Sequence, residues 1–225
     1  MTELEAIRAR HSVRQYLNKP LKPDELAVLR TEVDACNKES GLHIQLVTNE
    51  PKAFEGSMAR YGKFSGVSNY FALVGKAGPD LQEKCGYWGE RLVLKAQMMG
   101  LNTCWVALTF SKVKSAYTLH DGEKLAAVIA LGHGAAQGAP HKSKTMEEVS
   151  KVNGPLPDWF KAGMEAVLLA PTAMNQQKFT FTLTEDGKVS ALPGRAFYTK
   201  MDLGIAKYHF EVGAGKDNFQ WKEWG

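Results

Sequence analysis

The sequence lacks a long hydrophobic segment. Its longest uninterrupted apolar run, LAAVIAL at residues 125–131, is far shorter than the roughly 20 residues that a membrane-spanning helix needs. The N-terminus, MTELEAIRARHS, lacks the apolar core of a secretory signal peptide. We therefore expect a soluble, cytoplasmic protein with no membrane partner.

The sequence also lacks cysteines at metal-binding spacing and a segment in which basic residues are concentrated. Cys36, Cys85 and Cys104 are odd in number and widely separated, without the Cys-x-x-Cys or histidine spacing of zinc sites. We expect reduced thiols and no metal. The formal net charge is only +4 over 225 residues, and the basic residues are spread along the chain. This distribution gives little support for nucleic-acid binding, so we expect no nucleic-acid partner.

A polar loop between a helix and a strand is the first candidate site. In the stretch 165–183, EAVLLAPTAMNQQKFTFTL, helical spacing of apolar residues ends at Pro171, which cannot donate a backbone hydrogen bond. Phe179 and Phe181 then alternate with threonines, as in a strand. The loop TAMNQQ offers amide donors and acceptors to a flat ligand with polar edges. An ordinary turn capped by Asn175 is the alternative.

Two basic clusters are candidate phosphate sites. Arg10 and Arg14 flank the hydroxyl of Ser12, and guanidinium groups with a hydroxyl suit a phosphate. Lys142 and Lys144 supply two more cations. Solvated surface charge is the alternative interpretation of both clusters.

Two further segments could lie beside a ligand. The loop 60–64, RYGKF, combines two cations, two aromatic rings and a glycine, and it either borders a ligand or is bare surface. The strand predicted at 103–108, TCWVAL, has no long polar side chain. If this strand contacts a ligand, it does so with its backbone.

Periodicity predicts helices and strands in two distantly similar halves. A helix, a loop and an alternating strand occur at 26–47 and again at 160–183. We place the division at the linker NGPLP, giving halves 1–152 and 153–225 within one compact unit. The predicted helices are 3–10, 23–40, 81–99 and 201–211, and the other predicted strands are 42–47, 69–74, 126–131 and 189–191.

Four motifs together resemble those of the FMN-dependent nitroreductases. RHSVR at 10–14 resembles the family's Arg-x-Ser-x-Arg/Lys, and GLNTCWVALTF at 100–110 resembles Gly-Leu-Gly-Thr-Cys-Trp-Ile-Gly-Gly-Phe. KSK at 142–144 resembles Lys-Ser-Arg, and APTAMNQQ at 170–177 resembles Ala-Pro-Ser-x-x-Asn-x-Gln. The chain is most similar to a subgroup in which a single chain resembles a fused pair of subunits. The resemblance implies an α+β fold with a central mixed or antiparallel sheet flanked by helices.

The resemblance also implies a flavin site. Arg10, Ser12, Lys142 and Lys144 would hold the FMN phosphate, with Arg10 and Lys144 expected at the surface of the phosphate site. Arg14 and Lys63 would reach the pyrimidine edge or the ribityl chain. The other residues implied to contact or cover the flavin are His11, Trp105, Val106, Ala107, Leu108, Pro171, Thr172, Ala173, Met174 and Asn175.

The implied function is hydride transfer from NAD(P)H through flavin N5 to a nitroaromatic or quinone-like small molecule. No catalytic side chain is implied, because the flavin carries the chemistry. Tyr61 or Phe64 would stack over the open flavin face, and we expect His133, His141 and His209 to be structural.

Three alternatives stay open at this point. The same fold could support ene reduction or dehalogenation. The chain could instead bind flavin without turnover, because Ala107 and Leu108 replace two glycines of the family motif and could block the hydride position. It could also be either a monomer with a complete site or a homodimer.

Overall fold

A computed structural model describes residues 1–222 of the chain. The helices are α1 Glu3–Ala9, α2 Pro23–Ser40, α3 Ser57–Tyr61, α4 Leu81–Met98, α5 Met146–Val149, α6 Asp158–Val167 and α7 Thr199–Ala214. The strands are β1 Gln45–Val47, β2 Asn69–Lys76, β3 Asn102–Val106, β4 Glu123–Gly132, β5 Ser150–Val152, β6 Phe179–Leu183 and β7 Val189–Pro193. Across residues 1–222, every helix is too short or too polar to cross a membrane.

The first sheet is antiparallel throughout, with the strand order β1-β2-β4-β3. One face packs against α2 and α4 through residues such as Phe71 and Ile129. The opposite face packs against Phe54, Phe64 and Phe110 from the connecting segments. Because both faces are covered, β2 is buried along all but its last residue, and this explains its continuous apolar sequence.

The second sheet is smaller and mixed, with the order β5-β6-β7. β5 runs parallel to β6, and β6 and β7 form an antiparallel hairpin whose turn contains Gly187 at φ 76°. Helices α6 and α7 cover this sheet around the fully buried Phe181 and Phe210. Near the end of the chain, Trp221 bridges to Val189; residues 223–225 lie outside the described part.

The pairing of β5 corrects one boundary. The sequence division placed residues 150–152 in the first half, but these residues pair with β6 of the second sheet. Periodicity could not show this pairing, because a three-residue strand carries no pattern of its own. The linker NGPLP therefore lies inside the second unit, between β5 and α6.

Helices α4 and α7 cross in close contact at two glycines. A Cβ built on Gly86 of α4 would overlap the carbonyl oxygen of Met201, and one on Gly204 of α7 would overlap that of Glu83. The same Cβ on Gly204 would lie 2.7 Å from the backbone nitrogen of Tyr87. Each glycine thus faces the carbonyl three residues before the other, a reciprocal contact of the kind that a two-fold axis produces.

A fully buried ion pair also connects α4 and α7. Glu90 and His209 are both 0% exposed, and His209 Nε2 lies 2.9 Å from Glu90 Oε1. The Trp105 indole donates to Glu90 Oε2 at 2.8 Å, and His209 Nδ1 lies 2.9 Å from the Ala166 carbonyl oxygen. Burial acts to raise the pKa of Glu90, but the bond and charge of His209 lower it on balance. Every polar atom of this pair therefore has a partner.

The predicted elements are largely confirmed. Helix α2 begins at Pro23, because the first position of a helix does not need a backbone N–H. It ends before Gly41, which has the left-handed φ of 70° that is common after a helix. The strand predicted at 103–108 is shorter, because β3 leaves β4 after the pair Val106 and Val128. The strand predicted at 42–47 is assigned only from Gln45, although His43 still donates its backbone N–H to Val74.

We predict that Gly86→Ala destabilises the fold. Alanine inside a helix is normally better than glycine by about 0.5–1 kcal/mol. Here a Cβ overlaps the backbone of α7, and overpacking of this kind costs about 1–3 kcal/mol or more. We expect a net loss of about 1–2 kcal/mol in the free energy of unfolding, measured by urea titration. The control is Gly78→Ala, whose Cβ meets only the free end of Asp80 at 3.0 Å; an equal effect in both variants would contradict the prediction.

Candidate active site

The chain after α1 is threaded between the edge of β3 and the loop that follows β4. Val13 donates its backbone N–H to the Thr103 carbonyl at 3.0 Å, and Leu17 donates to the His133 carbonyl at 2.8 Å. Gly138 lies so close to this segment that a Cβ there would be 2.7 Å from His11 Cβ. Arg10, His11 and Ser12 are therefore fixed beside the loop 133–145.

Arg10 is buried and incompletely bonded. Arg10 is only 5% exposed, and its Nη1 donates to the Leu169 carbonyl at 3.4 Å. Its Nε is buried and has no hydrogen-bond partner within residues 1–222. Arg10 is thus enclosed between α1 and the segment after α6. A buried guanidinium with a free donor is costly unless an acceptor meets it.

Residues of the loop 133–145 gather at the same place. The Leu168 carbonyl oxygen lies 3.1 Å from His141 Nε2 and accepts from Ser143 Oγ at 2.7 Å. Burial lowers the pKa of His11, and the positive charge of Arg10 lowers it further. Burial is also the main cause of the lowered pKa of His141, and the charge of Arg10 contributes to that lowering as well. Both imidazoles are therefore neutral at pH 7, and Arg10 supplies the positive charge of this cluster.

Gln177 connects the two motifs that carry Lys142 and Asn175. It is 1% exposed; its side-chain oxygen accepts from the Lys144 backbone at 2.9 Å, and its Nε2 donates to the Lys142 carbonyl at 3.0 Å. Lys144 is half-buried, and its Nζ donates to the Gln177 carbonyl at 3.0 Å, so one of its donors is already used within the protein. Lys142 is exposed. The sequence motif included Gln177 but gave no sign of this connecting role.

The loop 171–177 is held in a strained conformation. Met174, Asn175 and Gln177 have φ of 51°, 54° and 45°, values that cost non-glycine residues about 1–3 kcal/mol each. Pro171, Thr172 and Ala173 are half-buried, whereas Met174 is fully exposed. Asn175 is exposed and donates its side-chain amide to the Lys142 carbonyl at 2.8 Å. Strain of this kind is often found at ligand sites, which favours the ligand-loop interpretation over a simple capped turn.

Asp202 of α7 anchors this loop, and sequence reasoning missed it. It is 2% exposed; Oδ1 accepts from the Ala173 backbone at 2.9 Å and Oδ2 from Gln176 Nε2 at 2.7 Å. Burial raises the pKa of Asp202 to about 6, against the lowering effect of these two hydrogen bonds. An acidic residue inside an apolar helix stripe was the only signal in the sequence.

The end of β3 presents backbone rather than side chains. The Trp105 indole is directed into the core, where it contacts Gly89 and bonds to Glu90. Thr103 turns its carbonyl away from β4 toward Val13. Because successive residues alternate between edges, Trp105 turns its backbone groups to that same outer edge. Beyond Val106, which is buried, Ala107 is half-buried and Leu108 is 66% exposed.

The loop 60–64 lies next to the segment after β3. A Cβ on Gly62 would lie 2.7 Å from Thr109 Cβ, and Lys63 is exposed at φ 60°. The Arg14 guanidinium lies over the Phe64 ring at 6.0 Å from its centroid. Phe64 itself is 6% exposed and packs against Phe54, so the expectation that it stacks over an open flavin is wrong. Tyr61 is 81% exposed.

A cleft of about 370 Å³ lies elsewhere, and its lining includes residues of α1, α2, α4 and α7. Its Arg91 already bonds to Glu32 at 2.6 Å and to Glu39 at 2.9 Å, and Lys216 lies 2.9 Å from Glu211. None of the predicted flavin residues lines this cleft. Its cations are neutralised within the protein, so it is a poorer phosphate site than the Arg10 cluster.

Comparison with known proteins identifies the family. The model of the family described as "Putative TM nitroreductase" matches residues 3–214, nearly the whole chain. The chain belongs to this family. Membership supports an oxidoreductase and confirms the resemblance drawn from the four motifs.

Solved structures confirm the α+β fold. A "putative nitroreductase" from Thermotoga maritima is similar with a TM-score of 0.67 and 21% identity, over 100% of this chain and 90% of that chain. A nitroreductase family protein from Streptococcus pneumoniae is similar with a TM-score of 0.52 and 15% identity, over 66% of this chain and 98% of that chain. The search of curated proteins found no match.

We predict that Asp202→Asn changes how stability depends on pH. Because the pKa of Asp202 is about 6 rather than its ordinary 3.8, the folded state holds a proton between pH 4 and 6 that the unfolded state releases. Wild-type stability should therefore fall as pH rises through this window, and the variant should not show that loss. The difference in unfolding free energy, variant minus wild type, should grow by about 2–3 kcal/mol from pH 4 to pH 7.

Urea unfolding at several pH values measures this difference. The matched control is Asp34→Asn, an exposed position on α2. Its pH profile should run parallel to that of the wild type. A parallel profile for Asp202→Asn as well would show that Asp202 does not titrate as described.

Proposed function

We propose that the protein is an FMN-dependent oxidoreductase that passes hydride from NAD(P)H to a nitroaromatic or quinone-like acceptor. The observation that carries the proposal is the buried Nε of Arg10, which lacks a partner within residues 1–222. It lies in a cluster with His11 and His141 and beside a motif that the nitroreductases use for phosphate. A dianionic phosphate oxygen is the acceptor that best satisfies this donor.

Four residues would form the phosphate end of the site. Arg10 and Ser12 would hold the phosphate, with the exposed Lys142 closing over it and Lys144 adding charge from its bond to Gln177. Ser12 is fixed by its bridge to Thr103 on the edge of β3. FMN, when bound, supplies the hydride chemistry. The task of these residues is to bind and to orient.

The remaining motifs suit the ring system. The outer backbone edge at Trp105 and the segment 106–108 would offer hydrogen bonds to a polar ring edge. Arg14 and Lys63 would place positive charge at the pyrimidine end. Positive charge there stabilises an anionic reduced ring. The strained loop 171–175 would cover the cofactor. Tyr61 is the exposed aromatic side chain available to an acceptor.

We propose that one chain supplies both walls of this site. The reciprocal contact of Gly86 and Gly204 supports a fused-pair arrangement, and the hydrogen bonds from Asn175 and Gln177 to the Lys142 carbonyl join the covering loop to the phosphate loop within one molecule. A monomer could then hold FMN, and sizing of the flavin-loaded protein tests this. A cytoplasmic location stays a prediction.

Flavin absorbance tests the function directly. The purified protein, as isolated or after incubation with FMN and desalting, should be yellow, and anaerobic NADH or NADPH should bleach it. A colourless protein that cannot be reconstituted would contradict the proposal. A yellow protein that neither nucleotide bleaches would instead favour flavin binding without turnover, with Leu108 next to the ring as the first residue to change.

We predict that Arg10→Lys weakens FMN retention by about tenfold or more. Lysine keeps the charge but loses the planar set of donors, and a charge-assisted hydrogen bond contributes about 1.5–3 kcal/mol. Flavin fluorescence titration of the desalted protein measures the dissociation constant. Arg8→Lys, on the exposed side of α1, is the control and should bind FMN like the wild type. Wild-type affinity in a folded Arg10→Lys protein would place the phosphate elsewhere.

A further inference from the structure

Three potential metal ligands meet at one end of the first sheet, away from the residues assigned to FMN. His43 lies two residues before β1, His120 lies in the turn before β4, and Glu123 is the first residue of β4. The turn before β4 places His120 beside Glu123, and the pairing of the sheet places His43 beside the same residue. Sequence spacing alone did not reveal this cluster, because β2 separates His43 from β4 in the sheet.

The ligand atoms are close to the spacing that zinc requires. His43 Nδ1 lies 3.0 Å from Glu123 Oε2, and His120 Nδ1 lies 3.7 Å from the same oxygen. One ligand atom from each of the three residues lies within 4.8 Å of the others. Bonds of 2.0–2.1 Å in a tetrahedral site place ligand atoms about 3.3–3.5 Å apart. Small side-chain movements would therefore convert the cluster into a coordination sphere.

The backbone under this cluster is firmly held. Gln45 accepts from the Thr118 backbone N–H and donates to the Thr118 carbonyl, both at 2.8 Å. The Ala77 N–H donates to the Gly122 carbonyl at 2.8 Å, and the His120 N–H donates to Glu123 Oε2 at 2.8 Å. The turn that carries His120 is thus attached to β1 and to the end of β2. A ligand set on a preformed frame loses little entropy on binding.

The side chains combine fixed and movable ligands. The Glu123 and His43 side chains are 8% and 28% exposed, whereas that of His120 is 64% exposed. The two imidazoles are stacked at 4.6 Å with 14° between their planes. Parallel rings cannot both direct a lone pair at one ion, so the exposed His120 must rotate. Its exposure allows that rotation and leaves room for water at a fourth position.

The ligand chemistry selects the ion class. Imidazole nitrogen suits zinc and its first-row neighbours, whereas magnesium prefers an all-oxygen set. Two imidazoles, one carboxylate and water form a set typical of zinc sites. We propose that His43, His120 and Glu123 form a binding site for a divalent first-row transition metal, with Zn²⁺ as the ion best suited. A bound ion would clamp the segment that leads from the end of β3 into β4.

Zinc titration of the purified full chain, freed of metal by chelator, tests the site. Calorimetry should show one equivalent of Zn²⁺ that is lost or weakened more than about tenfold in His120→Gln and in Glu123→Gln, since even residues that merely support a metal ligand contribute about 10–100-fold. Zinc at a hundredfold excess over its dissociation constant should raise the thermal midpoint of the wild type by about 5 °C or more. Mg²⁺ at the same concentration should not.

Lys124→Gln provides the matched control, because this exposed residue adjoins Glu123 without belonging to the cluster. It should bind zinc like the wild type. The proposal is overturned if wild type and His120→Gln bind the same number of zinc ions with the same affinity, or if the wild type shows no saturable zinc binding. His120→Gln changes an exposed side chain, so a folded variant is expected, and its circular dichroism spectrum checks this.

Discussion

The close crossing of α4 and α7 is the constraint on which the rest of the molecule depends. Glycines at the crossing allow the two backbones to touch, and this contact brings Glu90 and His209 into one buried pair. A Glu90 carboxylate without a partner at this depth would be strongly unfavourable, so a movement of either helix that separates the pair is costly. The Trp105 indole and the Ala166 carbonyl complete the pair. Strand β3 of the first sheet and helix α6, which covers the second sheet, therefore each contribute a contact to one shared centre.

The candidate flavin site takes its geometry from this centre. Trp105 lies on β3, whose outer edge carries the segment with Ser12. Asp202 lies on α7 and anchors the loop after α6. The Arg10 guanidinium donates to the Leu169 carbonyl, just beyond the end of α6. Arg10 and the loop 171–177 belong to distant parts of the sequence, but both bond to groups of α7 or of the segment that follows α6.

Sequence patterns predicted most of the fold and the motifs of the site, because each of these features is determined by a few neighbouring residues. Pro23 begins a helix and Gly187 forms a turn for reasons contained in a few residues. What the sequence could not show depends on distant partners. Glu90 and His209 meet across 119 positions, and Arg10 is enclosed by a segment 159 positions away. Burial decides the role of such residues, and burial is a property of the whole fold.

The two walls of the candidate site differ in how firmly they are held. Ser12 bridges to Thr103 of β3, and Arg10, at the end of α1, is 5% exposed. The loop 171–177 combines three strained residues, at about 1–3 kcal/mol each, with hydrogen bonds whose net values are of the same order. Its anchor, Asp202, keeps a raised pKa, so the loop's donors do not fully offset the burial of that carboxylate. We therefore expect the loop 171–177 to open at a lower free energy than the segment that carries Arg10 and Ser12.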